Sequence, residues 1–135
     1  MDDCLFCKII NKEIPAEIVY EDTEVIAFLD IKPNNIGHTL VIPKVHSRDF
    51  LDTNFEMVTA IARSVHMIAA AILKAVDASG FNIAINNGAV AGQVIFHTHW
   101  HIIPRFENDG YTMWPGKEYA EGQAAQVAEK IRAQL

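Results

Sequence analysis

The chain has 135 residues and a mass of 15.0 kDa, the size of one ordinary domain. Half of it is hydrophobic and 21% is charged, a globular rather than a disordered balance. Eleven Lys and Arg against seventeen Asp and Glu leave a net charge of −6, which argues against a broad electrostatic grip on nucleic acid but leaves room for a small anion in a local pocket.

Membrane and export classes are also disfavoured. No apolar run reaches the roughly 18–20 residues of a membrane span, and the best candidate, Ser64 to Val76, is interrupted by His66 and Lys74. The start, Met1-Asp2-Asp3-Cys4, is acidic and lacks the basic and apolar regions of a secretory signal. Two cysteines cannot build a disulfide framework. The expectation is a cytoplasmic protein, one domain over residues 1–135, with no membrane and no nucleic acid as partner.

In chain order, Ile18 to Tyr20, a turn, and Val25 to Leu29 read as two strands. Lys32 to Gly37 is a loop of breakers, and His38 to Ile42 is a third strand stopped by Pro43. Asn54 can cap a helix whose Phe55, Val58, Ile61, Val65, Ile68, Ile72 and Val76 form one apolar stripe. Gly80 sits where a C′ glycine should end that helix. Phe81 to Asn86 alternates as a fourth strand, a loop with Gly88 and Gly92 follows, and Val94 to Pro104 is the fifth. A second helical pattern begins in the tail from Lys117. Five strands with short connections and one long helix predict an α+β domain, an antiparallel sheet carrying the helix on one face. Neither glycine loop matches a dinucleotide or P-loop fingerprint.

Six histidines are the anomaly, and three fall within five residues: His97-Thr98-His99-Trp100-His101. On a strand these three imidazoles share one face, leaving Thr98, Trp100 and Ile102 for the other. Two chemistries fit. One is a metal site, but alternate strand positions lie about 6.6–6.8 Å apart, so one ion cannot readily gather all three from a straight strand. The other is a neutral imidazole nucleophile whose second ring nitrogen donates to a carbonyl, with neighbours stabilising phosphoryl charge. The second reading fits better. Asn86 and Gln93 supply neutral donors beside the triple, and Gly88 and Gly92 permit close backbone approach to a ligand. Cys4-x-x-Cys7 on its own reads equally as buried side chains, a thiol pair or half of a metal site.

The string Gly92-Gln93-x-x-x-His97-x-His99-x-His101-x-x-Pro104-Arg105 resembles the histidine-triad (HIT) nucleotide-binding family in its bacterial Hint-like form. The likeness extends over almost the whole chain, through Cys4 to Ile10, Ala27 to Pro33, Gly37 to His46, and Asn86-Asn87-Gly88. It implies a HIT fold, a five-stranded antiparallel sheet with a long packed helix and a C-terminal helical tail. It also implies a homodimer that binds purine nucleotides, such as AMP or its phosphoramidates, and cleaves at the α-phosphorus through a nucleotidyl-histidine. In that scheme His99 is the nucleophile, His97 and His101 complete the triad, and His38 buttresses it. Asp30 and Ile31 line the nucleoside pocket. Asn86, Gly92, Gln93, His99 and His101 surround the phosphate. No metal is required for the chemistry, and Cys4, Cys7, His46 and His97 would hold structural zinc.

Val94 stands where a Ser or Thr often follows the glutamine, so a side-chain hydroxyl contact is unavailable there. Met113 and Trp114 fall in a C-terminal segment that approaches the partner subunit's site in the family. His66, inside the helix, reads as structural or surface. Two other functions compete with the phosphoramidate reading: dinucleoside polyphosphate hydrolysis, and nucleotide binding or scaffolding with little turnover. A metal-dependent histidine-cluster enzyme is a third.

Overall fold

The computed structural model describes residues 3–135, and the acidic start at Met1 and Asp2 lies outside them. The elements run α1 (Leu5–Ile10), β1 (Ile18–Glu21), β2 (Val25–Leu29), β3 (Thr39–Pro43), α2 (Phe55–Val76), β4 (Gly80–Ile85), β5 (Trp100–Arg105) and α3 (Gln123–Arg132). The five strands form one antiparallel sheet in the order β1-β2-β3-β5-β4. This is the expected α+β architecture.

Alternation along the central strands builds two cores. Val25, Ala27, Val41 and Ile102 point to one face, where Ile61, Val65, Ile68, Ala69 and Ile72 of α2 cover them. Ile26, Phe28, Leu40 and Ile42 point to the other, where α1 lays Phe6 and Ile9 over them. Both faces of β2 and β3 are therefore covered, and these strands read as continuous apolar runs. Asn54 caps α2 as anticipated, its side chain accepting the Met57 N–H at 2.8 Å. By length and composition α2 is apolar enough to cross a membrane, which the interrupted run Ser64 to Val76 did not suggest. Its stripe is spent on the sheet.

Three boundaries differ from the sequence reading. Helix α2 ends at Asp77, which takes the left-handed conformation (φ 53°) and donates its N–H to Leu73 O, so Gly80 is free to open β4. The Cys4 region forms a short helix, with the Cys4 Sγ accepting the Cys7 N–H at 3.5 Å. Ladder pairing in β5 begins only at Trp100 rather than at Val94, because the preceding segment bonds elsewhere: the Thr98 N–H donates to Ser47 O at 2.7 Å.

The turn into β3 is held by Gly37. Its φ of +89° suits glycine, and a Cβ there would sit 3.1–3.3 Å from Val76, Pro104 and Ile72 side chains. That tight turn delivers His38, buried, to the sheet face opposite α2, just ahead of the first β3 residue.

Candidate active site

The three histidines do share one side of the chain although two of them precede the ladder. Thr98 is buried against Ser47 and Thr53, Trp100 and Ile102 pack towards α2, and the imidazoles gather opposite. His99 lies between its neighbours in a row, with ring centroids 5.0 Å from His101 and 5.1 Å from Phe6.

Hydrogen bonds fix which nitrogen of each ring carries a proton. A carbonyl only accepts, so His99 donates from Nδ1 to His97 O at 2.7 Å, and its Nε2 keeps a free lone pair. His97 likewise donates from Nε2 to Pro43 O at 2.8 Å, leaving Nδ1 bare. At His38 the order reverses. Its Nδ1 accepts the Asn34 backbone N–H at 3.0 Å, so in the neutral ring Nε2 is the donor, 2.9 Å from His101 Nδ1. His101 therefore accepts at Nδ1 and carries its proton on Nε2. That Nε2–H is buried and has no hydrogen-bond partner among the described residues. A buried donor left unpaired is costly unless a ligand completes it. The row thus presents a lone pair on His99 and an unspent N–H on His101.

Burial keeps these rings neutral. It lowers His38, His99 and His101 below the usual imidazole value, His101 to about 4 with help from its histidine neighbours. Asp30 pulls the other way on all three. Its Oδ2 stands 3.7 Å from His38 Nε2, and its Oδ1 accepts the Lys32 N–H at 2.9 Å. Ile31 beside it is 93% exposed on the rim.

On the other flank a loop runs from β4 towards the triad. Gly88 and Gly92 both have positive φ, and the Asn86 amide nitrogen lies 3.7 Å from where a Gly92 Cβ would stand. That separation is ordinary contact, and it is the φ of +93° at Gly92 that favours glycine there. Gln93 is placed differently from expectation. It is buried, its Nε2 donates to Arg48 O (2.7 Å) and Ile95 O (3.2 Å), and its Oε1 accepts the Gly88 N–H (2.9 Å). Both amide hydrogens are spent on the main chain, so the side chain is a loop brace and no free phosphate donor. Arg105 is also occupied: it forks onto Asp109 at 2.7 and 3.1 Å and reaches Asn82 at 2.9 Å. Val94 is exposed, and His66 lies on the solvent side of α2, the surface one of the two readings the sequence allowed.

Cys4, Cys7, His46 and His97 converge at the other end of the row, their ligand atoms all within 4.8 Å of one another. His97 Nδ1 lies 3.6 Å from each sulfur, and His46 Nδ1 lies 3.3 Å from Cys7 Sγ. Edges of a tetrahedron with metal bonds of 2.0–2.3 Å are about 3.3–3.8 Å, so the set fits one tetrahedral ion. The His97 bond to Pro43 O is the outer contact that commonly orients such a ligand. Burial, the Cys4 hydrogen bond and the Cys4 charge push the Cys7 thiol up to about 11. A cation is the group that would offset a thiolate there.

Sequence reasoning missed three contributors. Phe6 stacks edge-on to both His97 and His99, yet in the sequence it is one apolar residue among several. Asn34 and Pro43 act through backbone atoms, which no residue type announces.

Comparison with known proteins agrees with this geometry. A family model described as HIT domain matches residues 11–108. The chain is 41% identical to an adenylylsulfatase, HINT3, of Arabidopsis thaliana, over 99% of this chain and 70% of that one. A solved structure from Streptococcus mutans UA159 superposes with a TM-score of 0.94 at 43% identity, covering 99% of this chain and 86% of that one. A zinc-bound histidine triad family protein from Mycobacterium smegmatis gives 0.78 at 38% identity, covering 98% of each chain. The chain belongs to the HIT domain family, and its fold is the HIT fold.

Proposed function

We propose that the protein, one HIT domain over residues 1–135, cleaves purine nucleotides at the α-phosphorus through a nucleotidyl-His99 intermediate. The observation that carries this reading is the complementary tautomer pair, a free Nε2 lone pair on His99 beside an unpaired Nε2–H on His101. In the first step His99 Nε2 attacks phosphorus, the bond to the leaving group breaks, and that group departs with the bonding electron pair, an amine also taking up a proton from solvent and a sulfate leaving as the dianion. His101 donates its N–H to a phosphoryl oxygen, where charge accumulates in the transition state. Water then attacks the phosphorus of the nucleotidyl-histidine and releases the nucleotide and free imidazole. Asp30 accepts from ribose hydroxyls, with Ile31 against the base. Asn86 and the backbone N–H groups around Gly92 hold phosphate oxygens.

The leaving group is an amine of an adenosine phosphoramidate or, by analogy with the adenylylsulfatase relative, the sulfate of an adenylyl sulfate. Against a polyphosphate leaving group stands the commitment of Arg105 to Asp109, which removes a cation such a chain would use. His99→Ala tests the reading: turnover of an adenosine phosphoramidate should vanish while AMP binding survives. Unchanged turnover would overturn it.

Zinc is the ion we assign to Cys4, Cys7, His46 and His97, where a closed shell of four protein ligands supplies structure and no open coordination position for chemistry. We also infer a homodimer. Strand β4 lies at the sheet edge with Phe81 and Ile83 partly exposed, and α3 buries none of its residues in its own chain. An exposed Trp114 suits reach towards a second copy's site. We further propose a cytoplasmic location, which the reduced thiols of such a set would suit.

A further inference from the structure

The metal cluster and the nucleophile share a peptide. The His97–Thr98 peptide accepts the His99 Nδ1–H through its carbonyl (2.7 Å) and donates its own N–H to Ser47 O (2.7 Å). His97, one end of that peptide, is a metal-set residue. Ser47, which anchors the other side, directly follows His46, a second metal-set residue. Phe6 closes the arrangement from above: carried between Cys4 and Cys7, its ring lies 6.0 Å from His97 and 5.1 Å from His99, edge-on to both.

We propose that the Cys4/Cys7/His46/His97 site is the clamp that orients the nucleophile. Its two histidine-bearing segments hold the His97–Thr98 peptide plane, and Phe6 is a positioning residue that holds the two rings in register. The proposal rests on the reading of His99 as nucleophile. The rotation of the His99 ring is set by one hydrogen bond to that carbonyl and by the rings on either side of it, Phe6 edge-on at 5.1 Å and His101 tilted at 5.0 Å. Freeing His46 and His97 loosens the carbonyl, and truncating Phe6 removes the edge. The nucleoside side of substrate binding is set apart from both, because Asp30 and Ile31 lie on another segment, while the Gly92 loop touches the clamp segment through Gln93 Nε2 on Arg48 O. The signature is therefore loss of the chemical step with nucleotide affinity retained. Misplacement of a reacting group by about 1 Å costs on the order of 10²-fold in rate.

The test compares the full-length protein loaded with one equivalent of zinc, the same protein stripped by chelator under reducing conditions, and zinc-loaded Phe6→Leu. For each, AMP affinity is measured by calorimetry, the single-turnover rate on an adenosine phosphoramidate by rapid quench, and the His99 Nδ1–H by nitrogen-edited NMR. The expectation for both altered forms is a rate lower by roughly 10- to 100-fold, AMP affinity within about threefold, and a His99 Nδ1–H signal broadened by exchange with solvent. Zinc returned to the stripped protein should restore rate and signal. Rates within twofold of the loaded wild type, with an unchanged signal, would overturn the clamp. Should stripping unfold the chain, as loss of the far-UV circular dichroism of its helices would reveal, Phe6→Leu decides by the same criteria; loss of AMP binding with that signal intact would overturn the clamp. Should the loaded wild type show no turnover, the function reading fails. The NMR signal then settles the clamp, supporting it if lost on stripping and refuting it if unchanged.

Discussion

Replacing His38 with Phe tests the proton order on which the site depends. Phenylalanine keeps a ring in the slot, whose centroid lies 5.2 Å from that of His101, but offers neither donor nor acceptor. Two hydrogen bonds disappear, the Asn34 N–H to Nδ1 at 3.0 Å and Nε2–H to His101 Nδ1 at 2.9 Å. The unpaired His101 nitrogen costs roughly 1–3 kcal/mol of folding stability, and Asn34, on an exposed turn, can pass its N–H to water. The catalytic effect has a ceiling, because losing one preorganised donor to developing charge costs about 10²–10³ in rate. His101 keeps its ring and loses only its fixed tautomer and orientation, so kcat should fall roughly 10- to 100-fold with KM changed only a few-fold. The assay is steady-state hydrolysis of an adenosine phosphoramidate by His38→Phe, His101→Ala and the double variant. If His38 acts only through His101, the double variant should be no slower than His101→Ala alone. Multiplicative losses, or a His38→Phe enzyme within twofold of wild type, would refute the relay.

Gln93→Ala should destabilise the fold by roughly 2–3 kcal/mol, since it strips partners from the Gly88 N–H and the Arg48 and Ile95 carbonyls, and a denaturant titration reads this directly. An unchanged midpoint would mean that the loop needs no brace. Gly37→Ala should cost more than about 1 kcal/mol, because it combines a positive φ with contacts of 3.1–3.3 Å, and a shift in melting temperature measures it. Acid should weaken the fold through the buried imidazoles. The folded pKa of His101, about 4, lies below its unfolded value of 6.5, so the unfolded chain binds more protons between them. That stability is fully present above pH 6.5 and is lost as pH falls from there towards 4, a contribution on the order of 3 kcal/mol at most. Melting temperatures across this window should decline for the wild type and less steeply for His101→Ala; equal slopes would contradict the assignment.

Most of the fold is legible in the residues because alternation and a single apolar stripe decide it. Val25 to Leu29 and the stripe from Ile61 to Ile72 locate both sheet faces and the helix with little ambiguity. The ends are less legible. Asp77 takes the left-handed position that a search for glycine assigns to Gly80, since aspartate tolerates that conformation at modest cost. The start of β5 is hidden because Thr98 finds its partner in Ser47, a contact 51 residues away in sequence that no local pattern encodes.

The site divides in the same way. His97, His99 and His101 announce themselves by spacing, and His38 by resemblance, but the proton positions that give them roles are written in main-chain atoms of Asn34, Pro43 and His97. Gln93 shows the opposite hazard: a residue type suited to phosphate is consumed in bracing the loop that would receive it. The acidic balance of −6 is consistent with this design. The groups we propose to bind the anion at the triad are neutral rings, the Asn86 amide and backbone N–H groups, and the cation Arg105 is already paired.

The central claim is that His99 Nε2 forms a bond to phosphorus. Mixing the protein with an adenosine phosphoramidate, quenching within one turnover and locating the adenylyl group by peptide mass spectrometry tests it most directly. Adenylyl attached to His99, formed and lost at rates compatible with turnover, is the predicted result. Turnover with no adenylated peptide formed at any time, or with adenylyl on a residue other than His99, would contradict it.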